Sequence, residues 1–187
     1  MFCGSGIIDL IAELLKLGLI NKSGKLIDRG ECDSKLSRDI KKRIIKGEKG
    51  NKFLLAEGDE TINGKSMYLT QRDIREVQLA KAAVCAGITI LLKEVNISPK
   101  DIQEILLAGA FGNFIDKKSA ARIGLIPNLP LKKIKSVGNA AGRGAEITLC
   151  SSRMRKLSKE IAKEVKYIEL SSRPDFQEEF VEAMFFY

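Results

Sequence analysis

Two stretches of this chain repeat one pattern, and that pattern constrains the fold more than any other feature. The short run Glu104-Ile105-Leu106-Leu107-Ala108 ends on Gly109-Ala110-Phe111-Gly112-Asn113. About thirty residues further on, Ile134 to Val137 ends on Gly138-Asn139-Ala140-Ala141-Gly142. Each predicts a short strand, buried in the first case, then a small-residue turn and a helix. In open α/β sheets ligands bind beyond the carboxyl ends of the strands, where such turns lie. Glycine there lets the backbone approach a ligand with no Cβ in the way, and the N–H groups opening the next helix favour an anion. Taken singly, the first run also reads as a plain tight turn and the second as close helix packing. The pair is more specific than either.

The remaining chain fits an α/β domain, rich in helix, with a small sheet of short strands. Ser5 can cap a helix running to about Gly18, with Ile7, Ile8, Leu10, Ile11, Leu14 and Leu15 on one face. Residues 21–51 are polar and read as a loop with at most one short helix. Phe53 to Ala56 and Met67 to Leu69 read as strands around an Asn63-Gly64 turn. Thr70 can cap a long helix to about Asn96, carrying an apolar stripe of Ile74, Val77, Val84, Ile88, Leu91 and Val95 and a small-residue face of Ala80, Ala83 and Gly87. Ser98-Pro99 opens a short helix. Asp116 caps another, closed by Gly124, and Pro127 and Pro130 mark a rigid turn. A long helix is expected over 144–165, a last strand over 166–170, and an amphipathic helix after Pro174 with Phe176, Phe180, Met184 and Phe185 on one side, a stripe read as core. The basic run Arg153 to Lys166 reads as a solvated face, with a partner-docking surface as the weaker reading.

At 187 residues the chain suits one domain. It has no histidine, which excludes histidine metal sites, serine–histidine nucleophile pairs and histidine proton shuttles within it. Cys3, Cys32, Cys85 and Cys150 are too widely spaced for a zinc or iron–sulfur pattern, and Cys85 reads as a small core residue. No apolar run is long enough to span a bilayer and no signal peptide is visible, so a cytoplasmic protein is expected. The net charge of +8 attracts anions, but no nucleic-acid motif accompanies it, and neither nucleic acid nor membrane is expected as a partner. Gly4-Ser5-Gly6 has two readings, a capped helix start or the edge of a phosphate site. It is no Walker A loop, because no Gly-Lys-Ser/Thr follows.

On these residues a resemblance rests. Ile105 to Asn113 resembles the adenosine motif of the sugar kinase, heat-shock chaperone and actin superfamily, and Gly138 to Gly142 its second connecting motif. The helix opened by Cys3-Gly4-Ser5-Gly6 resembles the segment that follows the second phosphate motif in related activator ATPases. The stretches CGSGIIDLIAELL, LTQRDIREVQLAKAAVCAGI, LLAGAFGNFIDKKSAARIGLIP, VGNAAGRGAEITLCSSR and ELSSRPDFQEEFVEAMFF are similar to the reductive activators of corrinoid iron–sulfur and methyltransferase proteins, over nearly the whole chain. The resemblance implies a ribonuclease H-like fold of two similar halves with nucleotide between them. It implies ATP binding and hydrolysis that drive one-electron reduction of a Co(II) corrinoid protein to Co(I), with electrons delivered through iron–sulfur clusters carried elsewhere in the polypeptide. Activators of acyl-CoA dehydratases, another branch, usually carry cluster-binding cysteines in the ATPase domain, and the wide spacing here speaks against them.

The sequence departs from the family in one respect. The phosphate hairpins with their Asp-x-Gly motifs lie upstream in the family and are read as absent here; Asp28-Arg29-Gly30 has the bare spacing, and Asp9, Asp33 and Asp59 sit in no such motif. The expectation is therefore a single domain over 1–187, the C-terminal part of an actin-like ATPase domain. It would be a fragment, which the start at Met1-Phe2-Cys3 favours, or be completed by a neighbouring polypeptide such as a homologous subunit in a homodimer. By resemblance, Gly109, Ala110, Phe111 and Gly112 line adenine and ribose of ATP or ADP, and Asn113 bonds ribose or base. Gln78 and Lys81 face the nucleotide from the long helix, Gly138 and Asn139 lie near the hinge, and Ser5 and Gly6 near phosphate. Lys81 reads equally as a solvated lysine with a snorkelling stem. Magnesium and most phosphate contacts, and any iron–sulfur cluster, would come from outside this chain. No residue serves as a general base, so the chain alone is expected to hydrolyse no ATP. The alternative is a protein-docking module of the same fold that binds no nucleotide.

Overall fold

The computed structural model describes residues 4–48 and 50–187. Cys3, at the head of the first glycine turn, lies outside them, as do Met1 and Phe2. Helix α1 (Gly4–Lys16) buries Ile8, Ile11, Ala12 and Leu14, one face at helical spacing. It stops at Gly18, and Leu19, Ile20 and Leu26 then enter the core, held by an antiparallel bridge between Ile20 and Leu26.

The polar stretch expected as loop contains a strand. After α2 (Arg38–Lys42), which Ser37 caps through Ile40 N–H, β1 (Ile44–Gly47) pairs antiparallel with β2 (Gly50–Ala56), and β2 pairs antiparallel with β3 (Met67–Thr70). The register places Ile44 opposite Phe53 and Phe53 opposite Leu69. All three are buried, so they form one cross-strand row on the inner face of the sheet. The β2–β3 register shifts between Leu54 and Ala56, and there Arg43 donates to the carbonyls of Leu54 (3.2 Å) and Leu55 (2.9 Å).

Helix α3 (Gln71–Glu94) starts on a Thr70–Asp73 capping box. Its buried residues are Ile74, Gln78, Lys81, Ala82, Ala86 and Ile90. The expected stripe is thus rotated, with Val84, Leu91 and Val95 left exposed. The covering elements are α8 (Pro174–Glu182) and residues 183–187, which meet α3 along Gln78, Lys81, Cys85 and Lys93, while Ala80 and Ala83 of the expected small-residue face are exposed. Phe186, and not the exposed Phe185, is the aromatic driven into the core, while Phe176 and Phe180 lie half-buried with ring centroids 6.1 Å apart.

A single 3-10 turn, Pro99–Asp101, leads to β4 (Ile105–Ala108), then α4 (Gly109–Phe114), α5 (Lys117–Arg122) and β5 (Ile134–Gly138). β4 and β5 form a two-stranded parallel sheet. β4 was expected to be buried on both faces, but Leu106 is 58% exposed and the burial alternates along the strand. α5 packs against α1, with Ala120, Ala121, Ile123, Leu125 and Ile126 joining the core.

The helix expected over 144–165 is two helices, α6 (Ala140–Cys150) and α7 (Ser152–Glu164). Extended Ser151 breaks the run, and its side chain accepts from Met154 N–H to cap α7. Arg155 donates to the carbonyls of Thr148 and Leu149 and so closes the end of α6. Residues 166–170 form no strand. Cys32, Cys85 and Cys150 form no disulfide, and no helix of the described residues is long and apolar enough to cross a membrane.

Candidate functional site

The two strand–glycine–helix units are neighbours in space. Ile105 pairs with Ile134, Leu106 with Lys135 and Leu107 with Ser136; the register then shifts so that Ala108 pairs with Gly138. Both strands leave the sheet through a glycine with positive φ, +82° at Gly109 and +67° at Gly138. A side chain in that conformation costs about 1–2 kcal/mol, so glycine is required at both for backbone reasons. Each glycine leads directly into a helix. α6 is capped by Asn139, whose Oδ1 accepts from Gly142 N–H at 2.9 Å. α4 has Ala108 before it and no side-chain cap. Ser136 donates its hydroxyl to the Gly112 carbonyl at 3.1 Å and ties β5 to α4.

Gly109, Ala110, Asn113, Gly138 and Asn139 line one cavity of about 380 Å³. A Cβ built on Gly109 or Gly138 meets no atom within 4 Å, so the space in front of both is open and any side chain there would intrude on it. The lining contains no charge. Its polar groups are two primary amides, of which Asn139 Oδ1 is committed to α6. Such a floor suits a flat heterocycle or a sugar, whose hydrogen-bonding edges the amides can meet, better than a bare phosphate.

Five of the eleven residues singled out in the sequence converge on this cavity, and the other six do not line it. Gly112 is buried against the strand: its Cβ would lie 2.9 Å from the carbonyl carbon of Leu107, so its smallness serves the packing of α4 on β4. Phe111 is half exposed and its ring lies 3.7 Å from the Cβ position of Gly4, beside the first turn of α1 where Ser5 and Gly6 sit.

Gln78 and Lys81 are a correction. Each is only 1% exposed. The Gln78 amide donates to the carbonyls of Ser23 (3.1 Å) and Met184 (2.7 Å), and the Lys81 ammonium donates to the carbonyl of Phe185. Lys81 Nζ also lies 5.2 and 5.3 Å from the ring centroids of Phe186 and Tyr187. Burial holds its pKa below the ordinary lysine value. The two side chains are taken up by backbone carbonyls of the C-terminal segment, which need donors once buried, and are therefore turned away from the glycine pocket. The sequence signal for this clasp is the Phe-Phe-Tyr run at 185–187 together with a polar pair, Gln78 and Lys81, set on the helix face that also carries Ile74, Ala82 and Ala86.

Two parallel strands that each pass through a left-handed glycine into a helix share a small uncharged pocket there, and the comparisons place this α/β domain in the ribonuclease H-like, actin-related class. A family model described as the C-terminal domain of RACo, the ASKHA domain, matches residues 1–187, and the chain belongs to that family. It is 39% identical over 181 residues to the corrinoid activation enzyme RamQ of Eubacterium limosum, covering 96% of this chain and 30% of that protein. It is 29% identical over 163 residues to the [Co(II) methylated amine-specific corrinoid protein] reductase of Methanosarcina barkeri, covering 87% of this chain and 24% of that protein. A solved structure, a reductive activator for corrinoid, iron–sulfur protein, superposes with a TM-score of 0.80 at 38% identity, over 99% of this chain and 28% of that one. The chain thus spans less than a third of the length of these relatives.

Proposed function

We propose that this chain is the adenosine-binding part of an ATP-dependent reductive activator that serves to reduce a Co(II) corrinoid protein to Co(I). The names of its relatives support the corrinoid role. The observation that carries the nucleotide role is the pairing of Ala108 with Gly138, which sets two glycine-led helix starts side by side around one open cavity. Gly109, Ala110 and Gly138 would pass against the faces of base and ribose. Asn113 and the free amide hydrogens of Asn139 would meet their polar edges. Bound nucleotide supplies the phosphoanhydride whose hydrolysis drives the uphill reduction. Magnesium, most phosphate contacts and the iron–sulfur cluster that delivers electrons are assigned to polypeptide outside residues 1–187.

Calorimetric titration with ADP tests the nucleotide role. Replacing Gly109 would confuse ligand loss with backbone strain, because its φ is +82°. Ala110→Phe is cleaner, since Ala110 is exposed in ordinary helix at the pocket wall. Saturable ADP binding that Ala110→Phe abolishes, with an unchanged melting curve, is the expected result. Absence of ADP binding in a folded chain that still captures a corrinoid protein would instead make it a docking module of the same fold.

A further inference from the structure

A second, larger hollow lies apart from the glycine pocket, beside the connections that lead into β4 and β5. It is a groove of about 1030 Å³, open along one side. One wall is the stripe Ile88, Thr89 and Leu92 of α3, and the opposite wall is the proline-bounded segment 127–131. Lys118 and Arg122 stand at its edge, one turn apart on α5 and both exposed. The lining includes no carboxylate, and neither cation forms a salt bridge with any described residue.

These features select an occupant by charge and shape. The cations stand only at the edge, and the walls between them are mainly apolar, so a bare inorganic anion would leave the trough itself unfilled. Two exposed cations that form no salt bridge, with Lys118 acting on the Asp116 carboxylate only through its field, stand beside an apolar trough and match a segment that buries aliphatic side chains and presents carboxylates at its flank. The volume exceeds what one side chain fills, and the prolines hold one wall rigid, so little ordering opposes binding. We infer that this groove docks an acidic, leucine-bearing segment of a partner protein, with the aliphatic side chains against Ile88, Leu92 and Leu129 and the carboxylates on Lys118 and Arg122. The inference does not depend on the nucleotide reading.

Fluorescence anisotropy with a short labelled peptide of alternating glutamate and leucine tests it, against the chain and its Lys118→Glu/Arg122→Glu variant. Both side chains are exposed, so the variant is expected to keep the melting temperature and the ADP titration of the parent. The reversal should weaken the glutamate–leucine peptide about tenfold or more, and a lysine–leucine peptide should show the opposite preference. A merely structural role would not produce that exchange. Equal affinity of the two proteins for the glutamate–leucine peptide overturns the proposal. So does equal affinity when serine replaces leucine, which would leave charge alone, or a long-chain fatty acid that binds as tightly as the peptide, which would make the groove a small-molecule site.

Discussion

Ala108, the last residue of β4, stands opposite Gly138, the last residue of β5. That pairing follows a register shift after Leu107, and it sets the starts of α4 and α6 on the same edge of the sheet. Without the shift Gly109 itself would stand opposite Gly138; the extra residue in β5 brings Gly138 to Ala108 instead, one place before the glycine that opens α4. The pocket is therefore a property of strand register as much as of glycine content.

Asn139 has two separable duties at this edge. Its Oδ1 caps α6, and its amide hydrogens are the part available to a ligand. Asn139→Ala should cost about 1 kcal/mol through the lost cap. Asn139→Asp keeps an acceptor at a helix N-terminus, where negative charge is favourable, so its melting temperature should match the parent. It loses the donor and places a carboxylate in the pocket, so ADP affinity should fall about tenfold. An aspartate variant that binds ADP like the parent would show that Asn139 only caps.

Gly112 should prove structural. In Gly112→Ala the new methyl would lie 2.9 Å from the Leu107 carbonyl carbon, and backbone cannot step aside. α4 must then lift from β4. A loss of about 1–3 kcal/mol in denaturant melts is expected, with weaker ADP binding as its consequence.

Lys81→Met keeps the aliphatic stem and removes the donor to the Phe185 carbonyl. Losing that partner costs about 1–3 kcal/mol, and releasing a buried cation offsets part of it, so a net loss of about 1 kcal/mol near neutral pH is expected. The pH dependence identifies the cause. Burial lowers the folded pKa of Lys81 below its ordinary value of 10.5. Between those two values the unfolded chain binds more protons than the folded one, so stability from this group rises with pH. The advantage of the parent over Lys81→Met should therefore widen as pH climbs toward 10.5. Parallel stability curves in urea across that window would refute a Lys81 whose pKa is lowered by burial.

Gly24 and Gly18 form a matched pair. Both have positive φ, +83° and +68°. At Gly18 a Cβ meets nothing within 4 Å, so Gly18→Ala should cost only the strain of about 1–2 kcal/mol. At Gly24 it would fall 2.3 Å from Gln78 Oε1, and Gln78 is pinned by two carbonyls. Gly24→Ala should cost about 2 kcal/mol more than Gly18→Ala, read as the difference between two thermal melts.

The sequence made the strand–glycine–helix units legible because an apolar run ending on glycine has few other solutions. It did not reveal β1. Ile44 and Ile45 are two apolar residues between Arg43 and Lys46, and only pairing with β2 makes them a strand. The buried face of α3 was misplaced for a related reason. The helix carries two stripes, and periodicity cannot say which one a distant helix will cover. Gln78 and Lys81 read as ligand contacts because they are polar and one turn apart; their partners Met184 and Phe185 lie more than a hundred residues away and leave no local trace. The break at Ser151 was hidden because Ser151 and Ser152 fit a polar helix face as well as a cap.

The clasp between the start, middle and end of the chain also governs how the molecule is made. Phe186 N–H donates to the Lys22 carbonyl, and Gln78 and Lys81 wait on Met184 and Phe185. During synthesis at about 5–20 residues per second, the amino-terminal helix and α3 must stand for many seconds without the segment that seals them. Their apolar faces are open to chaperones throughout that interval. The yield of native protein therefore depends on how well the nascent chain is shielded as it leaves the ribosome.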